Sequence, residues 1–293
     1  QQDAWSKQIS QWNGLADIGP ADTFGSWCFI NWNTVAKKGR CAPLNFVLAR
    51  ALAAAAETAA WLGRARDAAE LRGLRDGMRR SLDLAFWDAR RSLYRDGRWK
   101  GRPIERYSTE TNTLAILAGT TDRRRTVSIL DALEAGRLDP ATPTAFFNAS
   151  VAEALFRHYR TQAALGLIER YWGAMLQRGA DTAWEMFLPE SPPAGHPPKF
   201  VSLCHGWSSG PAYLLPAYGL GIRPIEPGFR TFCLDPQMPI RPGLSGVVPT
   251  PHGPIAVSAG EGVLMVRHPA AVRPAPGPRR AALAELDIQF SVY

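Results

Sequence analysis

A mainly α-helical fold is what the sequence predicts, a toroid of helical hairpins followed by a small antiparallel β-sandwich. Three observations carry this expectation. An apolar period of helical type holds from Pro43 to about Ala217. Short turns alternate with longer aromatic- and Pro-rich connections, as when helical hairpins follow one another. Beyond Gly221, Pro and Gly become frequent and short β-type runs replace the helical period. A simple helical bundle fits the first two observations as well. The boundary falls near Arg223 to Pro227, which divides the chain into residues 1–224 and 225–293.

Leu44, Leu48, Leu52 and Leu62 mark the first helix, Ala-rich and stopped by Gly63. Leu71, Leu74, Met78, Leu82 and Phe86 line the second. The third starts near Ser108 or Thr109, both good N-caps, with Leu114 and Leu117 inward. Val127, Leu130 and Leu133 mark the fourth, which ends at Gly136. Phe147, Val151, Leu155 and His158 mark the fifth; Leu165, Ile168, Trp172 and Met175 mark the sixth. Ser209 and Pro211 start one more. The runs FRTFCLD, SGVVPT, PIAVSAG, GVLMVRH and ELDIQFSVY read as strands.

Composition narrows the function classes. At 293 residues, 46% hydrophobic and 20% charged, the chain has the balance of a globular protein and not of a disordered one. No apolar run reaches the ~18 residues of a membrane-spanning helix, because Glu57 and Thr58 interrupt the best candidate, Ala51 to Leu62. The net charge of +8 is spread over solvated helix faces and comes with no nucleic-acid-binding motif, so nucleic acid is not an expected partner. Cys28, Cys41, Cys204 and Cys233 lack metal-site spacing, and no cofactor or metal is expected. The compartment stays open between a cytoplasmic and a secreted or periplasmic bacterial setting.

The residues 181–187, DTAWEMF, hold the candidate chemistry. Thr182-Ala-Trp-Glu185 is a capping-box pattern in which Glu185 would satisfy an N-cap amide. The other reading makes Glu185 one of a pair of catalytic carboxylates. It has Trp184 beside it, as at sites where aromatic faces stack on sugar rings, and Asp181 four residues before it. His205, in SLCHGWSSGPAY, either sits at the start of the helix after Ser209 or donates a hydrogen bond to a substrate hydroxyl. In FGSWCFINWN, Trp27, Phe29 and Trp32 are either core or the aromatic wall of a carbohydrate cleft. Glu110 reads as a first-turn carboxylate that stabilises a helix dipole. G-x-S-x-G, G-x-G-x-x-G and P-loop patterns are absent, which removes the usual hydrolase elbow and nucleotide cradles.

Four segments taken in order resemble the α-L-rhamnosidases of glycoside hydrolase family 78, a six-hairpin (α/α)₆-barrel group. They are FINWN, WGAMLQRGADTAWEMF, SLCHGWSSGPAYLLPAYGLGIRPIEPGF and, in the β region, VVPTPHGPIAV. The resemblance implies inverting hydrolysis of terminal α-L-rhamnosides, with a rhamnose-containing glycoside or oligosaccharide as substrate. On it Glu185 falls on the general base and His205 on a substrate-contacting histidine. Trp32 and Trp184 fall on or beside aromatic positions of the sugar pocket; Trp27 is a candidate for the same wall from the aromatic density of FGSWCFINWN alone.

Two departures accompany it. Asn31 stands where the family usually has Asp, so a charged contact to the sugar is altered. The family's acid-bearing element has no counterpart in residues 1–30, where QWNGLADIGPADTF offers Asp17 and Asp22 in another context. About seven helices are too few to close a ring of six hairpins. The expectation is therefore the C-terminal part of a longer enzyme, its general acid upstream. Another terminal sugar, or a degenerate carbohydrate-binding or structural protein, are the alternatives.

Overall fold

The structure, a computed structural model, describes residues 15–16, 29–31, 35–36, 38–139, 144–187, 201–278 and 287–293. Strand β1 (Arg40–Cys41) leads directly into α1 (Ala42–Trp61), whose start is favoured by Pro43 with its fixed φ and missing N–H. Gly63, at φ +72°, turns the chain into α2 (Ala65–Phe86). Four short strands follow: β2 (Trp87–Asp88), β3 (Leu93–Tyr94), β4 (Gly97–Trp99) and β5 (Arg102–Ile104). β2 pairs with β3, and β4 lies between β1 and β5. The sequence reading has no strands here, since two or three residues are too few to display a period of two.

Two more hairpins complete the pattern. They are α3 (Thr109–Leu117) with α4 (Arg123–Glu134), and α5 (Ala145–Arg157) with α6 (Thr161–Ile168). A π-helical turn, Glu169–Gly173, joins α6 to α7 (Ala174–Gln177). The last helix, α8 (Gly210–Leu214), also runs into a π turn, Leu215–Gly219.

Burial separates two kinds of helix. Every residue of α3 is buried, and so is most of α5, whereas α2, α4 and α6 bury only a stripe. The packing explains the difference. α1 contacts both α2 and α3, α3 contacts α4 and α5, and α5 contacts α6 and α8. Thus α1, α3, α5 and α8 form a row, and α2, α4 and α6 back the first three of them. An amphipathic stripe suffices for a backing helix, but a helix flanked on several sides must be apolar or internally satisfied all round. The main apolar cluster, with Phe46, Leu82, Phe86, Leu130 and Phe156, fills the space between the two layers.

Three residues that mark the apolar period in the sequence are exposed in the structure. Leu62 lies past the end of α1 and is exposed, because Gly63 already redirects the chain. Val127 is exposed on α4, where Ile129 and Leu130 take the buried face. His158 caps α5 on the exposed side of the turn.

The start of α3 is fixed by Asp96, fully buried just before β4. Its Oδ1 accepts from the Ser108 N–H at 3.0 Å and from the Ser108 and Thr111 hydroxyls at 2.6 Å each. Its backbone carbonyl accepts from the Ala42 N–H at 2.8 Å. One residue therefore ties the N-termini of α1 and α3 together. Ser108 is the N-cap, its Oγ accepting from the Thr111 N–H at 3.1 Å.

Beside this hub, the Tyr107 hydroxyl lies 2.6 Å from both the Asp88 and the Glu105 carboxylates, and the Arg95 guanidinium pairs with each acid. The phenol hydrogen bond holds both carboxyls below their usual range, with Arg95 adding to the effect. A depressed folded-state value contributes stability above the unfolded carboxylate value, ~4, and loses it as pH falls through the folded one. Tyr107→Phe removes much of that contribution in advance. The stability gap between wild type and variant, measured by urea unfolding, is expected to shrink as pH is lowered from about 6 to about 3. A gap that is constant over this range contradicts the assignment.

The β region begins at β6 (Ile222–Pro224), which pairs with β7 (Thr231–Leu234). Then come β8 (Ser245–Val248), β9 (Ile255–Ala259), β10 (Val263–His268), β11 (Arg273–Pro276) and β12 (Asp287–Val292). One sheet has the order β11-β7-β6, the other β12-β10-β9-β8. The expected all-antiparallel pairing is corrected at two places: β11 runs parallel to β7, and β12 parallel to β10. Parallel neighbours require a crossover, and β11, in the other sheet, lies between β10 and β12 in the chain. Phe232 and Leu234 from one sheet share an apolar cluster with Ile255, Val257, Leu264 and Val266 from the other.

The β region is latched to the helices. Tyr159, between α5 and α6, donates to Asp235 at 3.0 Å, and the Asp235 carboxylate also pairs with Arg223 at 3.1 Å. Thr161 donates to the Gln237 side chain at 2.9 Å, whose amide in turn reaches the Phe156 carbonyl at 3.0 Å. Among the described residues, no helix is long and apolar enough to cross a membrane.

Candidate active site

The buried helices bring their N-termini to one end of the row, and the candidate residues collect there. Asp96 holds the starts of α1 and α3 together. Asn31, fully buried, joins α3 to α5: its amide donates to Glu110 Oε1 at 2.8 Å, and its carbonyl oxygen accepts from the Thr144 hydroxyl at 2.7 Å. Glu110 is in the first turn of α3 and Thr144 is the N-cap residue of α5. At the start of α8, Gly210 lies so close to Ala149 of α5 that a Cβ would not fit. The positive ends of helix dipoles thus converge on one region, which favours oxygen-rich or anionic groups.

Glu185 lies at a bend in a non-helical segment at this end, and the capping box read from Thr182-x-x-Glu185 does not form, because no helix starts there. The Thr182 hydroxyl donates to the Leu203 carbonyl instead. Backbone bonds link the Glu185 N–H to the Ser202 carbonyl at 2.9 Å and the His205 N–H to the Ala183 carbonyl at 2.8 Å. The Glu185 carboxylate accepts from the Ser202 N–H at 3.2 Å through Oε2. Met186 bridges to Thr144, so the segment is held to the N-terminus of α5 on one side and to residues 202–205 on the other.

Trp184 turns into an apolar cluster with Tyr171, Trp172, Met175 and Phe187, its ring 5.7 Å from that of Phe187. Glu185, at a bend between Trp184 and Phe187, keeps partial exposure. Trp184 is buried, so it supports the segment from below.

His205 is half-buried and immediately precedes the short turn Gly206–Ser208. Its ring lies 5.8 Å from that of Trp207, which is 66% exposed. Trp207 in turn meets Phe146 at 5.6 Å and Phe29 at 6.4 Å. The turn is anchored from beneath: the Trp172 indole N–H donates to the Ser208 carbonyl at 2.7 Å. Trp172 belongs to the π turn after α6, a local widening that is often found next to functional sites.

The expected residues therefore separate into groups. Glu185 and His205 are brought to one partly open surface by the 183–205 pairing. Asn31 and Trp184 lie beneath it, buried. Trp27 and Trp32 fall outside the described residues. Sequence reasoning did not single out Trp207, Phe146 or Thr144, and it read Glu110 as a dipole stabiliser. The usable signal for Trp207 was its place in HGW, next to a candidate histidine. Thr144 and Glu110 act through Asn31, 113 and 79 residues away in sequence, and no local pattern displays that. Among the described residues, no group of three or more His, Cys, Asp and Glu side chains gathers to hold a metal ion.

Comparison with known proteins adds the following. A family model described as the bacterial alpha-L-rhamnosidase 6 hairpin glycosidase domain matches residues 3–218. Among solved structures, the chain is similar to the GH78 family rhamnosidase of Bacillus sp. GL1, with 25% identity and a TM-score of 0.74 over 96% of this chain and 30% of that one. The rhamnosidase from Klebsiella oxytoca with rhamnose bound is 28% identical, with a TM-score of 0.57 over 71% of this chain and 39% of that one. The Streptomyces avermitilis alpha-L-rhamnosidase complexed with L-rhamnose, at 20% identity and a TM-score of 0.57, covers 87% of this chain and 24% of that one and shares the fold. The chain thus spans 24–39% of the length of these three structures. No curated protein matches it.

Proposed function

The chain belongs to the bacterial α-L-rhamnosidase six-hairpin glycosidase family, and from that premise we propose that it is part of a glycoside hydrolase releasing terminal α-L-rhamnose by inversion. On this reading the row α1, α3, α5, α8 with its backing helices is an arc of an (α/α)₆ toroid. The two β-sheets form the sandwich of a second domain, from about residue 225. The observation that carries the reading is Glu185, held by backbone pairing at the gathered N-termini of the buried helices, beside His205 and Trp207.

Inversion needs two carboxyl groups about 6.5–9.5 Å apart, one to protonate the leaving oxygen and one to activate water on the opposite face of the sugar. Glu185 takes the second role. Its Oε2 accepts from a backbone N–H, which orients the carboxylate and leaves the other oxygen to receive the water's proton. The acid comes from a segment that precedes these residues in the complete enzyme. His205 donates to a rhamnose hydroxyl, and Trp27 and Trp32 wall the sugar. Asn31 and Trp184 serve the same pocket from beneath, Asn31 by fixing Glu110 and Thr144 under the Glu185 segment.

The reading is tested by assaying the complete enzyme on a panel of aryl glycosides. Hydrolysis of the α-L-rhamnoside well above that of the other sugars is expected; preference for another sugar, or saturable binding without turnover, overturns it. Trp207 offers a finer test, since its exposed indole can stack on substrate without being needed by the core. Trp207→Ala is expected to raise KM by about two- to tenfold, the size of one aromatic contact, with kcat nearly unchanged. A fall in kcat at constant KM would instead put Trp207 in the chemical step.

A further inference from the structure

A cleft with a volume of about 650 Å³ opens between the end of α2 and strands β1 and β4. Arg40, Arg98 and Lys100 line it together with Trp99, Leu84 and Leu15, and among the described residues no carboxylate does. Its position follows from the chain. β1, which carries Arg40, runs directly into α1, and β4, which carries Arg98, follows Asp96, the residue that holds the start of α3 two residues before Glu110.

The three cations are arranged against the usual preference of a β ribbon. Arg40 and Arg98 are direct partners across the antiparallel β1–β4 pair. Like charges so placed repel and destabilise the pair. Neither they nor Lys100 form an ion pair with a described acid; Arg98 donates to the Gly101 carbonyl and Lys100 lies 5.7 Å from the centre of the Trp99 ring. The ribbon keeps this arrangement at close quarters: side chains on Gly39 or Gly97 would collide with the facing strand's backbone. Leu84 adds an apolar side chain that is 86% exposed.

We propose that this cleft binds a carboxylate-bearing sugar, a uronate unit of the glycoside whose terminal residue is cleaved. Guanidinium groups match carboxylates with paired N–H donors. The Trp99 and Leu84 surfaces supply the apolar contact that a pyranose face needs. The identity of the ligand rests on the glycosidase reading above, and the test keeps the two separable.

Calorimetry with trigalacturonate and, as the neutral trisaccharide, maltotriose is the direct measurement. Wild-type protein is expected to bind trigalacturonate about tenfold more tightly at low ionic strength, with the preference fading at high salt. Arg98→Glu turns the like-charge pair into an opposite-charge one. It is expected to abolish the preference while Tm stays level or rises by about 1–3 °C. A structural role for Arg98 predicts the reverse, a lowered Tm. No preference in wild type, a preference that survives in R98E, or equally tight binding of inorganic phosphate or single-stranded DNA each overturns the proposal. Rhamnoside hydrolysis by the complete enzyme, measured in parallel, separates the two readings. Hydrolysis without uronate preference removes the cleft proposal alone, and uronate preference lost in R98E without hydrolysis supports the cleft and removes the activity.

Discussion

Glu185→Gln in the complete enzyme is expected to lower turnover of an aryl α-L-rhamnoside by about 10²-fold or more, with Tm unchanged. The structural part of this expectation follows from the hydrogen bonds. The Glu185 carboxylate accepts one backbone N–H, from Ser202, and a glutamine carbonyl can accept the same bond. The backbone links to Ser202 and, through Met186, to Thr144 do not involve the side chain at all. The amide cannot take a proton from water, so the loss falls on the transition state, about 2.7 kcal/mol or more, and KM should change little. Wild-type-like hydrolysis by this variant removes Glu185 from the base role. A collapse in Tm would mean that the carboxylate holds the segment together.

Asp96→Ala is expected to have the largest effect on stability, about 3–5 kcal/mol by urea unfolding. One carboxylate oxygen accepts three hydrogen bonds at the buried start of α3, and the other receives the Ala36 N–H at 3.4 Å. Truncation leaves the Ser108 N–H and the Thr111 hydroxyl without their acceptor in a site closed to water. Set against a typical total of about 5–15 kcal/mol, this is a fifth or more of the stability. Asp96→Asn keeps one carbonyl acceptor and should fall between alanine and wild type. Because Asp96 also places the starts of α1 and α3, the folded fraction of the alanine variant should lose activity as well. A loss below ~1 kcal/mol contradicts the hub assignment.

These two residues also mark what a linear reading can and cannot reach. The helical hairpins were legible because a stripe such as Leu71, Leu74, Met78, Leu82 and Phe86 repeats over about four turns, and because Gly63 and Gly136 stop helices by adopting positive φ. Glu185 was singled out through its neighbours in order, although its local pattern pointed to a helix cap. The backbone pairing with residues 202–205 overrode that local preference. Asp96 was not legible: in YRDGRW it looks like an ordinary turn acid, and its partners at Ser108 and Thr111 are in another element. Asn31 shows the same limit. Its place in FINWN suggested contact with sugar, while its described bonds tie Glu110 to Thr144. The parallel direction of β12 was missed for a related reason, since alternation reveals a strand but not the direction of its neighbour, and β11, in a Pro-rich run, was not read as a strand at all.

The central claim is that Glu185 activates a water that attacks the anomeric carbon from the face opposite the leaving group. Proton NMR of an aryl α-L-rhamnoside during hydrolysis by the complete enzyme tests it most directly. The account predicts that β-L-rhamnose appears first and then mutarotates to the equilibrium mixture. α-L-Rhamnose as the first product would mean retention through a covalent intermediate, and would contradict the role assigned to Glu185.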